Sequence, residues 1–166
     1  MIKIAYIGAG SIQFGPIIVQ DILLSEKLCE KGLEICLMDI ELSHLDHVFK
    51  HAEYVNNTLK RNVKIIKTDN KEEAIRNSDF VICALEKDRN IFWSQDFHIP
   101  RKYGFKQVYG ENGGVGSLFH ALRNIKIIVD LAKDMEKLCP KSILLNFSNP
   151  EHKICEAVTR LTNIKT

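Results

Sequence analysis

Gly8 and Gly10, followed by Ser11, come directly after the apolar run Ile2, Ile4, Ala5 and Ile7. Asp39 closes a second apolar run of Leu33, Ile35, Cys36, Leu37 and Met38. Residues of these types at this spacing can hold a dinucleotide. The glycines let backbone N–H groups approach a pyrophosphate, and a helix opening behind the turn adds the positive end of its dipole. A carboxylate after the second strand accepts from a ribose diol. Gln13 stands where the G-x-G-x-x-G fingerprint wants its third glycine, and Gly15 can supply the close helix packing instead. An acid at position 39 repels a 2′-phosphate, so NAD is expected over NADP.

Reactive side chains also concentrate between residues 86 and 116. There Glu86-Lys87-Asp88-Arg89, Trp93, Asp96, His98 and Arg101 lead into Tyr109-Gly110-Glu111-Asn112-Gly113-Gly114-Val115-Gly116. A long polar, aromatic segment after a buried strand belongs at the carboxyl edge of a parallel sheet, where doubly wound folds bind ligands. His47 and His51 share a helix face, but no third ligand accompanies them. Exposed histidines on a polar face are common, and no metal site is assigned in this chain. The five cysteines are scattered without a C-x-x-C pair and read as reduced, buried thiols of a cytoplasmic protein.

Alternating strands and helices must position these groups. After the first strand, a helix is expected from Ile12 to about Cys29, stopped by Gly32. The strand Leu33 to Met38 follows. Leu42, Leu45, Val48, Phe49, Ala52, Val55 and Leu59 then recur at helical spacing. Val63, Ile65 and Ile66 mark a third strand, and Asp69-Asn70-Lys71-Glu72 a capping box for a short helix through Arg76. Phe80 to Leu85 is the fourth strand, with a helical piece near Ile91 to Phe97. Ser117 is expected to cap a long helix that turns Leu118, Leu122, Ile125, Val129, Ala132 and Met135 inward. Ser142 to Phe147 is the fifth strand. A last helix from Glu151 to Leu161 buries Ile154, Ala157, Val158 and Leu161, and Asn163 to Thr166 approaches a sixth strand. The pattern predicts an α/β fold, a Rossmann-type doubly wound parallel sheet in three layers, with residues 1–166 forming one NAD-binding domain. The Asn149-Pro150 bond is expected to be cis, because the chain must turn back sharply between the fifth strand and the last helix.

Composition agrees with one ordinary domain. The chain has 166 residues, of which 45% are hydrophobic and 27% charged, enough to bury a real core. A net charge of +2 is too small to argue for nucleic acid or a membrane surface. No apolar run approaches a membrane span, and Ile2 to Ile7 is a strand rather than a signal peptide.

Three stretches carry a family resemblance: Glu111-Asn112-Gly113-Gly114-Val115-Gly116-Ser117, Ala121-Leu122-Arg123-Asn124-Ile125 and Leu145-Asn146-Phe147-Ser148-Asn149-Pro150. Together with Gly8-Ala9-Gly10-Ser11 they resemble glycoside hydrolase family 4, the α-glucosidase, α-galactosidase and α-galacturonidase-like members above all. The resemblance implies cleavage of O-glycosidic bonds by oxidation at sugar carbon 3 with NAD, loss of the carbon 2 proton to a tyrosine, elimination, hydration and re-reduction. A divalent metal, usually Mn2+, is implied for the full-length enzyme but not for this chain alone. It assigns Gly8, Gly10 and Ser11 to the pyrophosphate and Asp39 to the adenosine ribose. It also assigns Asn149 to sugar hydroxyls and the nicotinamide side, Glu111 to an acid near the leaving group, and Arg123 to the shape of that pocket. A small-molecule glycoside and a homo-oligomer are the implied partners.

Two departures qualify the resemblance. Members acting on 6-phosphosugars tend to carry an arginine just after the fourth strand, whereas this chain has Glu86, which repels a phosphate. The family's metal cysteine, metal histidine and base tyrosine all follow the sixth strand, beyond Thr166, and neither Cys155 nor Tyr6, Tyr54, Tyr103 or Tyr109 matches them. The chain is therefore expected to be the cofactor half, truncated before the substrate and metal domain and inactive on its own. A lactate/malate dehydrogenase-like oxidoreductase and a stand-alone dinucleotide-binding module are the alternative readings.

Overall fold

A computed structural model describes all residues from Met1 to Thr166. Five strands form one sheet: β1 (Ile2–Ile7), β2 (Leu33–Met38), β3 (Lys64–Thr68), β4 (Phe80–Cys83) and β5 (Ile143–Asn146). Their order is β3-β2-β1-β4-β5, every pair is parallel, and Ile4 of β1 sits opposite Ile35 of β2 and Phe80 of β4. Side chains alternate across the sheet, so a buried strand feeds two cores. Tyr6, Ile35, Leu37 and Ile82 enter one core; Ala5, Ile7, Cys36, Val81 and Leu144 enter the other. Lys165 continues beside β5 as a single parallel bridge to Ile143.

Helices α1 (Gly15–Leu24) and α3 (Leu42–Thr58) cover the first core with Ile18, Val19, Leu23, Leu45, Val48 and Ala52. Between them lies the short α2 (Glu26–Cys29). The opposite core is covered by α4 (Lys71–Ile75), α6 (Gly114–Leu138) and α7 (Glu151–Leu161). The remaining helix, α5 (Arg89–Lys102), packs on α6. This is the three-layer doubly wound fold expected, and the crossover after β3 makes the carboxyl ends of β1 and β4 its switch point.

Local departures have identifiable causes. The first helix starts at Gly15, not Ile12, because Ser11 to Phe14 are spent on a turn closed by Gly15 N–H donating to the Ser11 carbonyl at 2.7 Å. It also breaks at Ser25, whose extended backbone separates α1 from α2. Ser117 is no cap: α6 begins three residues earlier behind Gly113, and Ser117 is fully buried inside it. The inward face of the first half of α6 is also not the one expected. Leu118 and Leu122 are exposed, while Ser117, His120 and Asn124 are buried, because this half faces polar partners rather than the sheet. Leu161 likewise lies outside the core, on the exposed end of α7. All five cysteines are free, three of them buried, and burial pushes the Cys36 and Cys83 thiols up to about 11 and about 12, which makes them inert.

The cap of α4 is Asn70 alone. Its Oδ1 accepts from the N–H groups of Glu72 and Glu73 at 3.0 and 3.2 Å, while Glu73 turns to the Thr68 hydroxyl. Asn70→Ala is expected to lower stability by about 0.5–2 kcal/mol. Urea unfolding should show this as a lower midpoint at unchanged slope.

Candidate active site

The turn after β1 is built by close backbone approach. Gly8 has φ +83°, and a Cβ there would lie 2.3 Å from the Ala84 carbonyl oxygen beyond β4. The N–H groups of Gly8 and Ala9 both donate to the Met38 carbonyl, at 2.9 and 3.0 Å. Gly10 N–H donates to Asp39 Oδ2 at 2.8 Å, and a Cβ on Gly10 would meet that same oxygen at 2.8 Å. Asp39 Oδ1 accepts from Glu41 N–H at 2.9 Å, so the carboxylate is held at both oxygens with lone pairs to spare. Gly15 does the work of the absent third glycine: a Cβ there would lie 2.3 Å from the Ala9 carbonyl and 2.9 Å from Val48.

The N–H groups of Ile12 and Gln13, at the mouth of α1, donate to nothing within the chain, and Ser11 Oγ accepts from Phe14 N–H at 3.2 Å while its own proton stays available. Free donors, a helix N-terminus and a fixed carboxylate one strand away fit a dinucleotide.

Across the switch point, loops and helices gather a second set of groups. Arg89, first residue of α5, donates through Nη1 to Oε2 of both Glu86 and Glu111, the latter at 3.1 Å. Burial works against the Arg89 charge, but the two carboxylates outweigh it and raise its pKa above the ordinary arginine value. Asn149 Nδ2 reaches Glu111 Oε1 at 3.5 Å, and the Asn149-Pro150 bond is cis, as expected. Asn124 ties the surrounding loops together. Its Oδ1 accepts from Lys87 N–H at 3.1 Å and its Nδ2 donates to the Asn149 carbonyl at 3.2 Å. Ser148 Oγ accepts from Leu85 N–H at 2.8 Å, and Lys153 donates to Ser117 Oγ at 2.9 Å.

Behind this layer, Asp96 of α5 is almost wholly buried. It accepts from Arg123 and meets His120 Nδ1 at 3.2 Å. The Arg123 guanidinium also lies 4.7 Å from the centre of the Phe92 ring.

The structure therefore brings Gly8, Gly10, Ser11 and Asp39 together on one side of the switch point, and Glu111 with Asn149 on the other. Arg123 makes its contacts with Asp96 and Phe92, one layer behind Glu111. Sequence reasoning missed Arg89, Asp96 and His120 as a connected group. The one signal was the spacing of Ser117, His120 and Asn124, which places three polar side chains on one face of a helix. His44 and His47 are exposed, and with His51 they gather no further ligand. Tyr6, whose hydroxyl has no partner, is fully buried and held neutral by that burial and by Asp39.

Fold and turn together define a doubly wound domain of the dinucleotide-binding class. The chain belongs to glycoside hydrolase family 4: the family model described as family 4 glycosyl hydrolase matches residues 3–166. It is 42% identical over 161 residues to an α-glucosidase of Erwinia rhapontici, covering 95% of this chain and 35% of that protein. Among solved structures it resembles a 6-phospho-β-glucosidase of Thermotoga maritima with manganese, NAD+ and glucose-6-phosphate. There the TM-score is 0.82 and the identity 27%, covering 95% of this chain and 37% of that one. A malate dehydrogenase of Plasmodium falciparum shares the fold, with TM-score 0.70 at 21% identity, covering 99% of this chain and 43% of that one. The chain spans a little over a third of the length of the curated relatives it matches first.

Proposed function

We propose that this chain is the NAD-holding part of an NAD- and divalent-metal-dependent glycosidase of family 4, acting on O-glycosidic bonds of a sugar without a 6-phosphate. The observation that carries the reading is the meeting, at one switch point, of the Gly8–Gly10 turn and the Glu111–Asn149 pair. When bound, NAD supplies a hydride acceptor and donor for oxidation and re-reduction at the sugar ring. The N–H groups of Ile12 and Gln13 and the Ser11 hydroxyl receive the pyrophosphate, and Asp39 receives the adenosine ribose. Asn149 donates toward sugar hydroxyls, and Glu111 accepts from them. To act as an acid at the leaving oxygen Glu111 must first take up a proton, and Arg89 and Asn149 orient it meanwhile. Arg123 sets the wall behind it by fixing Asp96.

Glu86 supports an uncharged ring position. The nearest guanidinium, Arg89, is already engaged by two carboxylates, so a phosphate entering here meets net repulsion. The reading extends to residues 1–166 as one cofactor domain, in a homo-oligomer located in the cytoplasm that uses neither nucleic acid nor a membrane as partner. No helix is long and apolar enough to cross a membrane.

Calorimetric titration tests the cofactor assignment. NAD is expected to bind more tightly than NADP, and Asp39→Ala to weaken NAD by about 1.5–3 kcal/mol, roughly ten- to a hundredfold. Equal affinity for the two cofactors, or a preference for NADP, would overturn the ribose assignment.

A further inference from the structure

Two buried polar atoms at the centre of the site have no partner: Glu86 Oε1 and His120 Nε2. They face each other at 3.8 Å. His120 is only 2% exposed, and its other ring nitrogen, Nδ1, meets Asp96 Oδ2 at 3.2 Å. A carboxylate at Nδ1 takes the ring proton there, which leaves Nε2 as a bare lone pair pointing at a second carboxylate. Two acceptors directed at one another are satisfied by a cation between them, a metal ion or a second proton on the ring.

Glu111 completes the set. Arg89 binds Oε2 of both glutamates, so their Oε1 atoms are left for the interior, with only Asn149 near Glu111 Oε1 at 3.5 Å. One ligand atom from each of Glu86, Glu111 and His120 lies within 4.8 Å of the other two. Small side-chain rotations bring such a group to the edge of about 3.3 Å that metal–ligand bonds of about 2.0 Å require. The charge points the same way. Three carboxylates, Glu86, Glu111 and Asp96, face two guanidiniums, Arg89 and Arg123, which leaves one negative charge unbalanced. The chain Arg123–Asp96–His120 is also the arrangement that fixes the ring of a metal-bound histidine, a carboxylate receiving its second N–H and itself held by a donor.

We propose that Glu86, Glu111 and His120 form a site for one divalent transition-metal ion, with Asp96 orienting the histidine and a position open to water or substrate. Imidazole with two carboxylates suits Mn2+ or Zn2+. The ligands lie within this chain and are not the cysteine and histidine that the family resemblance assigns to its metal. The assignment stands on these contacts and not on the cofactor reading, and it replaces the proton-donor role of Glu111 and offsets the repulsion of a phosphate by Glu86 wherever the ion is bound.

The test uses the 166-residue chain. Mn2+ is titrated in while the free ion is followed by electron paramagnetic resonance, Zn2+ is added as a competitor, and NAD binding is measured on the same samples. One ion per chain is expected. Glu86→Gln and His120→Gln should each weaken it at least tenfold, and Asp96→Asn by roughly 10–100-fold, as removal of a supporting hydrogen bond does. His47→Gln, on the exposed face of α3, should leave uptake unchanged. Retained NAD binding shows that a variant is folded, and NAD failing to bind a chain that takes up metal would strike the cofactor reading alone. The absence of stoichiometric uptake of either ion by the unsubstituted chain overturns the site whatever the variants do. So does uptake that survives both Glu86→Gln and His120→Gln, or that is lost in His47→Gln.

Discussion

Asp96→Ala is expected to lower the stability of the chain by about 3–5 kcal/mol, because it leaves buried cationic and N–H groups without their acceptor. The Asp96 side chain is 4% exposed and receives both Arg123 and His120 Nδ1. Its removal strands an arginine against Phe92 and an imidazole N–H inside the α5–α6 contact, where water has no ready access. Arg123 keeps 23% of its side chain exposed and can swing toward solvent, which places the loss nearer the lower end of that range. The backbone of the same residue is also committed, since its carbonyl accepts from Gln107 Nε2 at 2.5 Å and Gln107 Oε1 accepts from Gly116 N–H at 3.4 Å. Urea unfolding monitored by Trp93 fluorescence, one turn away on α5, gives the measurement. A loss under about 1 kcal/mol would show that the pair behaves as a solvent-screened surface bridge.

The contrast between the two sides of the site shows what a linear sequence displays. The Gly8–Asp39 side is legible because its parts are local: a strand, a turn whose glycines have a backbone reason, a helix mouth and an acid ending the next strand. Even the substitution of Gly15 for the missing glycine can be read, since helix–strand contact is a property of one βαβ unit. Asp96, His120 and Arg123 are different. They are 24 and 27 residues apart and meet only when α5 lies on α6. Amphipathic reading sends Leu118 and Leu122 to the core and leaves Ser117 to cap the helix. The fold reverses both, because this part of α6 packs on a polar neighbour instead of the sheet. Arg89 was in plain view, but its role depends on Glu111, which approaches from a loop 22 residues on.

Gly8→Ala is expected to cost about 3 kcal/mol and to abolish measurable NAD binding at concentrations that saturate the parent chain. Two separate penalties combine. The backbone at Gly8 has φ +83°, a region that costs an L-residue roughly 1–2 kcal/mol. The added methyl would also sit 2.3 Å from the Ala84 carbonyl oxygen and 3.0 Å from Leu85 Cδ2. The first of these is backbone, so it cannot move aside as a flexible side chain would, and relief requires the β1 and β4 ends to part, at about 1–3 kcal/mol. Parting them also disturbs Met38, whose carbonyl holds the Gly8 and Ala9 N–H groups, and through Gly10 the orientation of Asp39. Gly104→Ala separates the two penalties. Gly104 has φ +86°, nearly the same backbone, but a Cβ there meets nothing within 4 Å. It should therefore lose only the conformational part, roughly 1–2 kcal/mol, and bind NAD as the parent does. Equal losses in the two variants, read from urea midpoints at constant slope, would mean that the switch point can open without cost. NAD binding retained by Gly8→Ala would mean that the pyrophosphate does not depend on this turn.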